Sequence, residues 1–200
     1  MEGFDADRYL VDQLKRPVAS LYRITPLASG DSPTGPPVAY VSRAKPVDGG
    51  DTLFYADEQE RDPLFQIKAH NVLDLGGSRY DVYAGERQIG ALEHQHGASR
   101  LRSTWRIRDA SNQELAVARE RSVPTAVIRR VVGLVPGVGG LGGLSSNFDL
   151  LIDGTVVGTM DGKLPLRDRY VIDVSGDRDR RLDPRLAIAL TIALDAHQSR

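Results

Sequence analysis

The sequence predicts an all-β fold in which a wide, closed antiparallel barrel encloses one C-terminal helix. Three observations lead to this class: short strand-like segments run along most of the chain, one segment has a clear helical signature, and that helix is apolar on every side. A flat sandwich would cover only one or two faces of such a helix. Barrels of about 8 strands fill with side chains, whereas cans of about 11 strands hold a central helix.

Thirteen segments have strand-like composition: 9–14, 20–25, 38–43, 52–56, 64–69, 80–84, 88–94, 99–108, 114–121, 125–132, 147–152, 155–160 and 169–174. Turn signals separate many of them, at 57–61, 85–86, 109–112, 153–154 and 161–162. The last two are Asp-Gly pairs, which favour type I′ hairpin turns because both central residues need a positive φ. Close spacing without intervening helical patterns predicts antiparallel pairing rather than βαβ units.

The helix is predicted over about 183–198. Asp183 is suited to accept from the free amides of the first turn, and Pro184 suits the first helical position. Apolar residues then cover every side: Leu186, Ala187, Ile188, Ala189, Leu190, Ile192, Ala193 and Leu194. A helix that is apolar all round is buried all round.

Composition fits one globular domain over residues 1–200 and excludes several classes. The chain of 200 residues has no cysteine, a formal net charge of −1 and 40% hydrophobic residues. These values argue against collagen-like, disordered and disulfide-stapled proteins and against thiolate metal sites. Residues 2–8 are acidic and polar, and no apolar run approaches the roughly 20 residues of a membrane-spanning helix. We therefore expect a cytoplasmic protein without a transmembrane segment.

The candidate binding feature is a run of arginines in the segment 99–108. Alternation along a strand places Leu101, Ser103, Trp105 and Ile107 inward and the arginines outward. The outward arginines are Arg100, Arg102, Arg106 and Arg108. Guanidinium groups suit bidentate phosphate recognition, so the stripe is a candidate site for an anionic headgroup. The alternative is that these arginines pair with carboxylates such as Glu93 or Glu114 and only solvate the strand.

A glycine motif and the apolar loop around it are explained more simply by structure than by ligand binding. Gly137, Gly139 and Gly142 match Gly-x-Gly-x-x-Gly, but a strand-like segment rather than a helix follows, which argues against nucleotide binding. The surrounding loop 133–143 is apolar, so it is predicted to pack on the barrel mouth, with membrane contact as the alternative. The apolar residues in and beside it are Leu134, Val135, Val138, Leu141 and Leu144.

Metal and catalytic sites are not supported by spacing. His94 and His96 share a strand face, but no third ligand is evident nearby, so solvated histidines are the simpler interpretation. Asp177, Asp179 and Asp183 precede the helix without the EF-hand pattern, which favours helix capping over calcium binding. No catalytic serine, histidine and carboxylate arrangement is apparent.

Several motifs together resemble the LURP-one-related family. They are Tyr-Asp-Val-Tyr-Ala-Gly-Glu-Arg-Gln-Ile-Gly from position 80, Ser-Thr-Trp-Arg-Ile-Arg-Asp from 103, Asn-Phe-Asp-Leu-Leu-Ile-Asp-Gly from 147, Arg-Tyr-Val-Ile-Asp-Val from 169, and the closing helix. That family is grouped with phospholipid scramblases and Tubby C-terminal domains. The resemblance implies a twelve-stranded barrel threaded by the helix and, because Tubby domains bind phosphoinositides, an anionic lipid as a partner.

We therefore expect a non-enzymatic barrel module with no cofactor, no metal and no nucleic-acid partner. The leading hypothesis is that it binds anionic phospholipid through the four arginines, at the inner face of the membrane. The alternative is a protein-interaction or structural module without a small ligand. Arginines free of carboxylates would favour the first hypothesis, and arginines each paired to Asp or Glu would favour the second.

Overall fold

The computed structural model describes residues 3–15, 19–28, 30–44, 51–71, 78–95, 103–121, 147–163 and 169–198. Within these residues it contains twelve strands and one helix. The strands are β1 (Arg8–Lys15), β2 (Ala19–Pro26), β3 (Ala39–Ala44), β4 (Thr52–Tyr55), β5 (Pro63–Asn71), β6 (Ser78–Ala84), β7 (Arg87–Gln95), β8 (Thr104–Asp109), β9 (Glu114–Glu120), β10 (Phe148–Ile152), β11 (Thr155–Lys163) and β12 (Arg169–Asp173). Helix α1 (Pro184–Gln198) follows.

The strands form a closed antiparallel barrel, which confirms the predicted fold class. Each strand pairs with its neighbours in sequence, and β1 pairs with β12 to close the ring. Twelve of the thirteen predicted strands overlap β1 to β12, although β8 begins only at Thr104 of the predicted 99–108, and the segment 125–132 lies outside the described residues. A meander of this kind needs no crossover connection, because every strand pairs with the strand next to it in the sequence.

One of the two Asp-Gly turns was predicted wrongly. Asp153 and Gly154 form the β10–β11 turn with φ values of 50° and 77°, as a hairpin of this type requires. Asp161 and Gly162 instead lie within β11, opposite Val171 and Tyr170 of β12. The local turn preference of this second pair is overridden because β12 offers a continuous ladder along its side.

Helix α1 is enclosed by the barrel, as its all-apolar surface predicts. Every residue from Leu186 to Asp195 is buried, and the apolar ones form a single core with the inward-facing side chains of the strands. The wall approaches the helix closely at Gly90 of β7. A Cβ atom there would lie 2.9 Å from Leu186 Cδ1 and 2.5 Å from the Arg108 carbonyl oxygen, so only glycine fits without a shift.

The two ends of the barrel are different. At the entry end, where α1 begins, the segment 3–7 and the loop 174–183 cover the helix. Phe4 is buried there and packs edge-on against Phe65, with ring centroids 5.7 Å apart. At the far end, where α1 ends, polar side chains of β1, β2 and β12 surround the last buried turn of the helix. The middle of the interior is apolar apart from Thr191, whose hydroxyl donates to the Ala187 carbonyl of the same helix at 3.0 Å.

Candidate functional site

Two of the four arginines that were predicted to face outward, Arg106 and Arg108, lie on strand β8. The two faces of this strand alternate as predicted. Trp105 and Ile107 are fully buried, whereas Arg106 and Arg108 lie on the outer wall. Trp105 packs between Tyr80 and His94, at centroid distances of 5.9 and 4.7 Å. The large indole anchors the strand, and the period of two then directs both arginines outward. Arg100 and Arg102 lie outside the described residues.

Both described arginines are paired with carboxylates. Arg106 Nε lies 2.9 Å from Glu114 Oε2, and Arg108 Nε lies 2.8 Å from Glu93 Oε2. These are the two partners that the alternative interpretation named. Glu93 lies opposite Arg106 in the β7–β8 ladder, and Glu114 lies opposite Arg108 in the β8–β9 ladder, so each carboxylate is on the same outer face as the stripe. An anionic ligand at these two positions would have to compete with a carboxylate already in place.

The pairing continues across the neighbouring strands. Glu93 also accepts from Arg79 Nη1 at 2.7 Å, and Arg79 Nε in turn lies 2.9 Å from Asp81. His70 Nε2 lies 3.0 Å from the second oxygen of Asp81. Opposite charges therefore alternate from β6 to β8, and the long arginine side chains lie over the barrel wall around Ala91, which is buried although it faces outward. On the described part of this wall, each of these arginines therefore lies next to a carboxylate.

A second cluster on the outer wall is more deeply buried. Asp12 of β1 is fully buried and lies between Arg23 of β2 and Arg169 of β12, with N···O distances of 3.1 and 2.8 Å. Burial alone would raise the pKa of the Asp12 carboxyl, but the hydrogen bonds and positive charges of Arg169 and Arg23 outweigh it and hold the pKa below its usual value. The cluster links β1 to β12, the two strands whose pairing closes the barrel. We call Asp12, Arg23 and Arg169 the Asp12 clasp.

Of the three aspartates before the helix, Asp183 has the capping role that the sequence favoured, while Asp177 binds within the preceding loop. Asp183 accepts from the backbone N–H of Arg185 at 2.9 Å, and Asp177 accepts from the N–H of Leu182 at 2.7 Å. Asp179 is exposed. Among the residues that the structure describes, no group of three or more histidine or acidic side chains is arranged to hold a metal ion.

A cavity of about 240 Å³ lies beside this cap, between the segment 3–7 and the loop 174–183. Its wall mixes apolar residues such as Phe4 and Leu182 with charged ones. Arg180 closes one side by donating to the Asp5 carbonyl at 3.1 Å and to Asp7 Oδ1 at 3.2 Å. The polar groups at this end are thus used to hold the two covering segments together.

The far end contains a polar cluster that the sequence analysis did not identify. Asp195 is buried inside the barrel, where it accepts from the hydroxyls of Tyr22 and, at 3.2 Å, Tyr170. Gln13 Nε2 donates to the Tyr22 hydroxyl at 3.1 Å. The sequence contained one signal of this site, because an aspartate ends an otherwise apolar helix. Its partners lie on β1, β2 and β12, and only the fold brings them to it.

His94 is not a solvated histidine, contrary to the simpler interpretation. It lies at the end of β7, half-buried, with Nε2 3.2 Å from Ser103 Oγ and its ring against Trp105. Alternation along β7 places it on the inner face with Leu92, because Ala91 and Glu93 face outward. His96 and the glycine-rich loop 133–143 lie outside the described residues.

Comparison of the chain with protein-family models, with curated proteins and with solved structures finds no match. In the part of the chain that the structure describes, no helix is both long and apolar enough to cross a bilayer.

Proposed function

We propose that this chain is a non-enzymatic module that binds a protein partner on the outer wall of its barrel. The observation that carries the proposal is that helix α1 occupies the interior. Residues from Leu186 to Leu194 are buried on every side and share one core with all the strands they face. A ligand inside the barrel would have to displace this helix, and a packed core resists such a change. The outer wall, in contrast, is open to a partner without any change in the core.

The charge arrangement of that wall favours a protein over a membrane. Attraction to an anionic bilayer grows with unpaired positive charge, at about 1 kcal/mol per basic residue near the surface. Arg106 and Arg108 are both paired, and Glu93 and Glu114 would remain beside any phosphate that approached them. A protein partner can place its own charges to match both signs, and electrostatic complementarity of this kind gives specificity.

An anionic phospholipid headgroup is the second candidate. The resemblance to LURP-one-related proteins favours it, as does the outward direction of the guanidinium groups on β8. In this case the four arginines Arg100, Arg102, Arg106 and Arg108 would act together at the inner face of the membrane. The Arg106–Glu114 ion pair is exposed, and such pairs contribute about 0–1 kcal/mol, so a phosphate that offered bidentate contacts would replace it more readily than the half-buried Arg108–Glu93 pair.

Sedimentation with vesicles separates the two candidates. The wild type is compared with the variant in which Arg100, Arg102, Arg106 and Arg108 are all replaced by Ser, using phosphatidylcholine vesicles with and without phosphatidylserine or a phosphoinositide. The variant Arg87→Ser/Arg178→Ser is the control for lost positive charge, because both arginines are exposed and lie elsewhere. We expect the wild type and the four-arginine variant to sediment equally with the anionic vesicles.

Lipid binding predicts the opposite result. The wild type would sediment with anionic vesicles at low salt, and loss of four basic contacts would weaken binding by up to about three orders of magnitude. Salt would weaken the wild-type interaction because it screens charges over about 8–10 Å. Binding that is lost in the four-arginine variant but kept in the control would reject the protein-partner proposal.

A further inference from the structure

The outer wall carries an apolar row on three neighbouring strands. Val117 of β9 lies opposite Leu151 of β10, and Leu151 lies opposite Val156 of β11. Val117 and Leu151 are half-buried, and Val156 is 53% exposed. Among the described residues Val156 is the exposed large hydrophobic side chain, and it lies beside two other outward aliphatic residues. We call Val117, Leu151 and Val156 the apolar row.

An unpaired arginine lies beside this row. Arg119 is two residues from Val117 on the same face of β9, which corresponds to about 7 Å along the strand. Its side chain is exposed and makes no ion pair with the residues that the structure describes. Asp149 lies opposite Arg119 in the ladder, but it accepts from Arg121 Nε at 2.8 Å instead. As far as the described residues show, the Arg119 guanidinium group has no carboxylate partner and can receive one from another molecule.

We propose that the apolar row and Arg119 form a docking surface for an acidic amphipathic helix of a protein partner. The inference rests on the proposed function and assigns its binding surface. Three strands spaced by about 4.8 Å make the row about 10 Å long. Apolar side chains at positions i, i+4 and i+7 of a helix span about the same length, so such a helix lying across the strands would contact all three residues. An acidic residue on its flank would reach Arg119.

Charge around the row argues against a bilayer as the occupant. The arginines of this patch are Arg106, Arg119 and Arg121, and the carboxylates are Glu114, Asp149 and Asp161. Their charges cancel, so a uniformly anionic surface gains little from approaching them. A helix with one well-placed carboxylate gains the Arg119 contact and avoids the others. The complementarity is local, as in recognition between proteins.

The test uses two synthetic helical peptides with the same leucines at i, i+4 and i+7. One peptide has a single glutamate placed to reach Arg119, and the other has a lysine at the same position. Binding to the full chain is measured by fluorescence anisotropy, and the contact surface by amide chemical-shift changes. We expect the acidic peptide to bind more tightly and its shifts to centre on β9 to β11. The variants are Arg119→Glu and Val156→Ser, with Arg87→Glu as the matched charge control.

Arg119→Glu should weaken binding of the acidic peptide by about fivefold or more, because the exposed ion pair is replaced by repulsion. The acidic peptide should then no longer bind more tightly than the basic one. Val156→Ser should weaken both peptides, by up to about tenfold, because each loses an apolar contact. Arg87→Glu should change neither. All three positions are exposed, so the variants should fold like the wild type.

Other outcomes overturn the inference. The proposal is wrong if the two peptides bind equally or not at all, or if Arg119→Glu behaves like Arg87→Glu. Shifts on another part of the outer wall would reject this surface but leave the outer-wall module in place. Sedimentation with phosphatidylserine vesicles that is lost in Arg119→Glu would assign the surface to a membrane and reject the protein partner.

Discussion

The interior and the outer wall of this barrel differ in how their polar side chains are stabilised. Inside, a fifteen-residue helix is buried along most of its length, and the carboxyl group of Asp195 near its far end accepts hydrogen bonds from two tyrosine hydroxyls. Outside, arginines and carboxylates pair in chains, and the Arg106 side chain in one such pair is still 40% exposed. The interior therefore specifies which fold forms, whereas the wall leaves room for recognition.

The difference follows from the surroundings of each contact. Burying a Leu or Ile side chain contributes about 1.5–3 kcal/mol, and the core contains many such residues. An exposed ion pair contributes about 0–1 kcal/mol because water already solvates both charges. A wall built from weak pairs can change its partners without unfolding the barrel. Substitutions inside should accordingly have large effects on stability, and those outside should have small effects on stability and larger ones on binding.

The strongest test of this contrast places one carboxylate in each region. Leu190→Asp should prevent folding, because an isolated charge at the centre of α1 would be enclosed by apolar side chains. Val156→Asp adds the same group to the exposed wall and should leave the unfolding midpoint almost unchanged. Circular dichroism and thermal melting measure both. Cooperative melting of soluble Leu190→Asp protein would show that the helix is not enclosed.

The close approach between wall and helix gives the second test. Gly90→Ala should lower the free energy of unfolding by about 1–3 kcal/mol, because the added Cβ would meet the Arg108 carbonyl and Leu186. Gly35→Ala is the matched control, since no atom lies within 4 Å of the equivalent Cβ there. Urea unfolding of the two variants measures the difference. Equal stabilities would contradict the packing of α1 against β7.

The polar far end should be less sensitive than the apolar middle. Tyr22→Phe removes the hydroxyl that donates to Asp195 and accepts from Gln13, leaving buried polar groups without that partner. We expect a loss of about 1–3 kcal/mol. Tyr40→Phe, on the outer face of β3, should lose almost nothing. If both variants melt with the wild type, the far-end cluster does not stabilise the fold.

The Asp12 clasp lies between the two regimes, because it is on the wall but buried. Its pKa is held below the usual value, so its contribution is complete above the unfolded-state pKa of about 3.9 and is lost as the pH falls through the folded-state value. Asp12→Asn should cost about 1–2 kcal/mol at neutral pH and flatten the loss of stability in acid. Urea unfolding from pH 7 to 2 tests this, with Glu114→Gln as a control whose ion pair is exposed. An unchanged acid dependence would mean that the clasp does not couple to folding.

Local patterns were sufficient to predict much of the fold. Asp183 and Pro184 marked the start of α1, and the all-apolar surface that follows required enclosure. The Asp153–Gly154 turn was found because a tight hairpin needs the positive φ that this pair adopts. On β8 the alternation of Trp105, Arg106, Ile107 and Arg108 predicted which side chains face the core. Each inference depends on residues within a few positions of one another.

Contacts between distant segments were beyond such reasoning. Tyr22 and Asp195 are 173 positions apart, and Asp12 and Arg169 are 157 apart. Which side chains meet depends on the register of neighbouring strands and on the depth to which α1 enters the barrel. The same dependence turned Asp161–Gly162 from a predicted turn into part of β11. A one-residue change of register would exchange the inner and outer faces of a strand. The sequence pattern alone therefore does not determine which side chains of distant strands come into contact.

By itself, then, the sequence determined the class of fold, the enclosed helix and the inward or outward direction of most strand residues, because these follow from periodicity and burial of apolar surface. Only the tertiary structure decided that Arg106 and Arg108 are already paired, that Asp12 closes the ring and that Arg119 is left beside the apolar row. The physical reason is that ion pairing depends on distances of a few ångströms between strands, and closure of the barrel sets those distances.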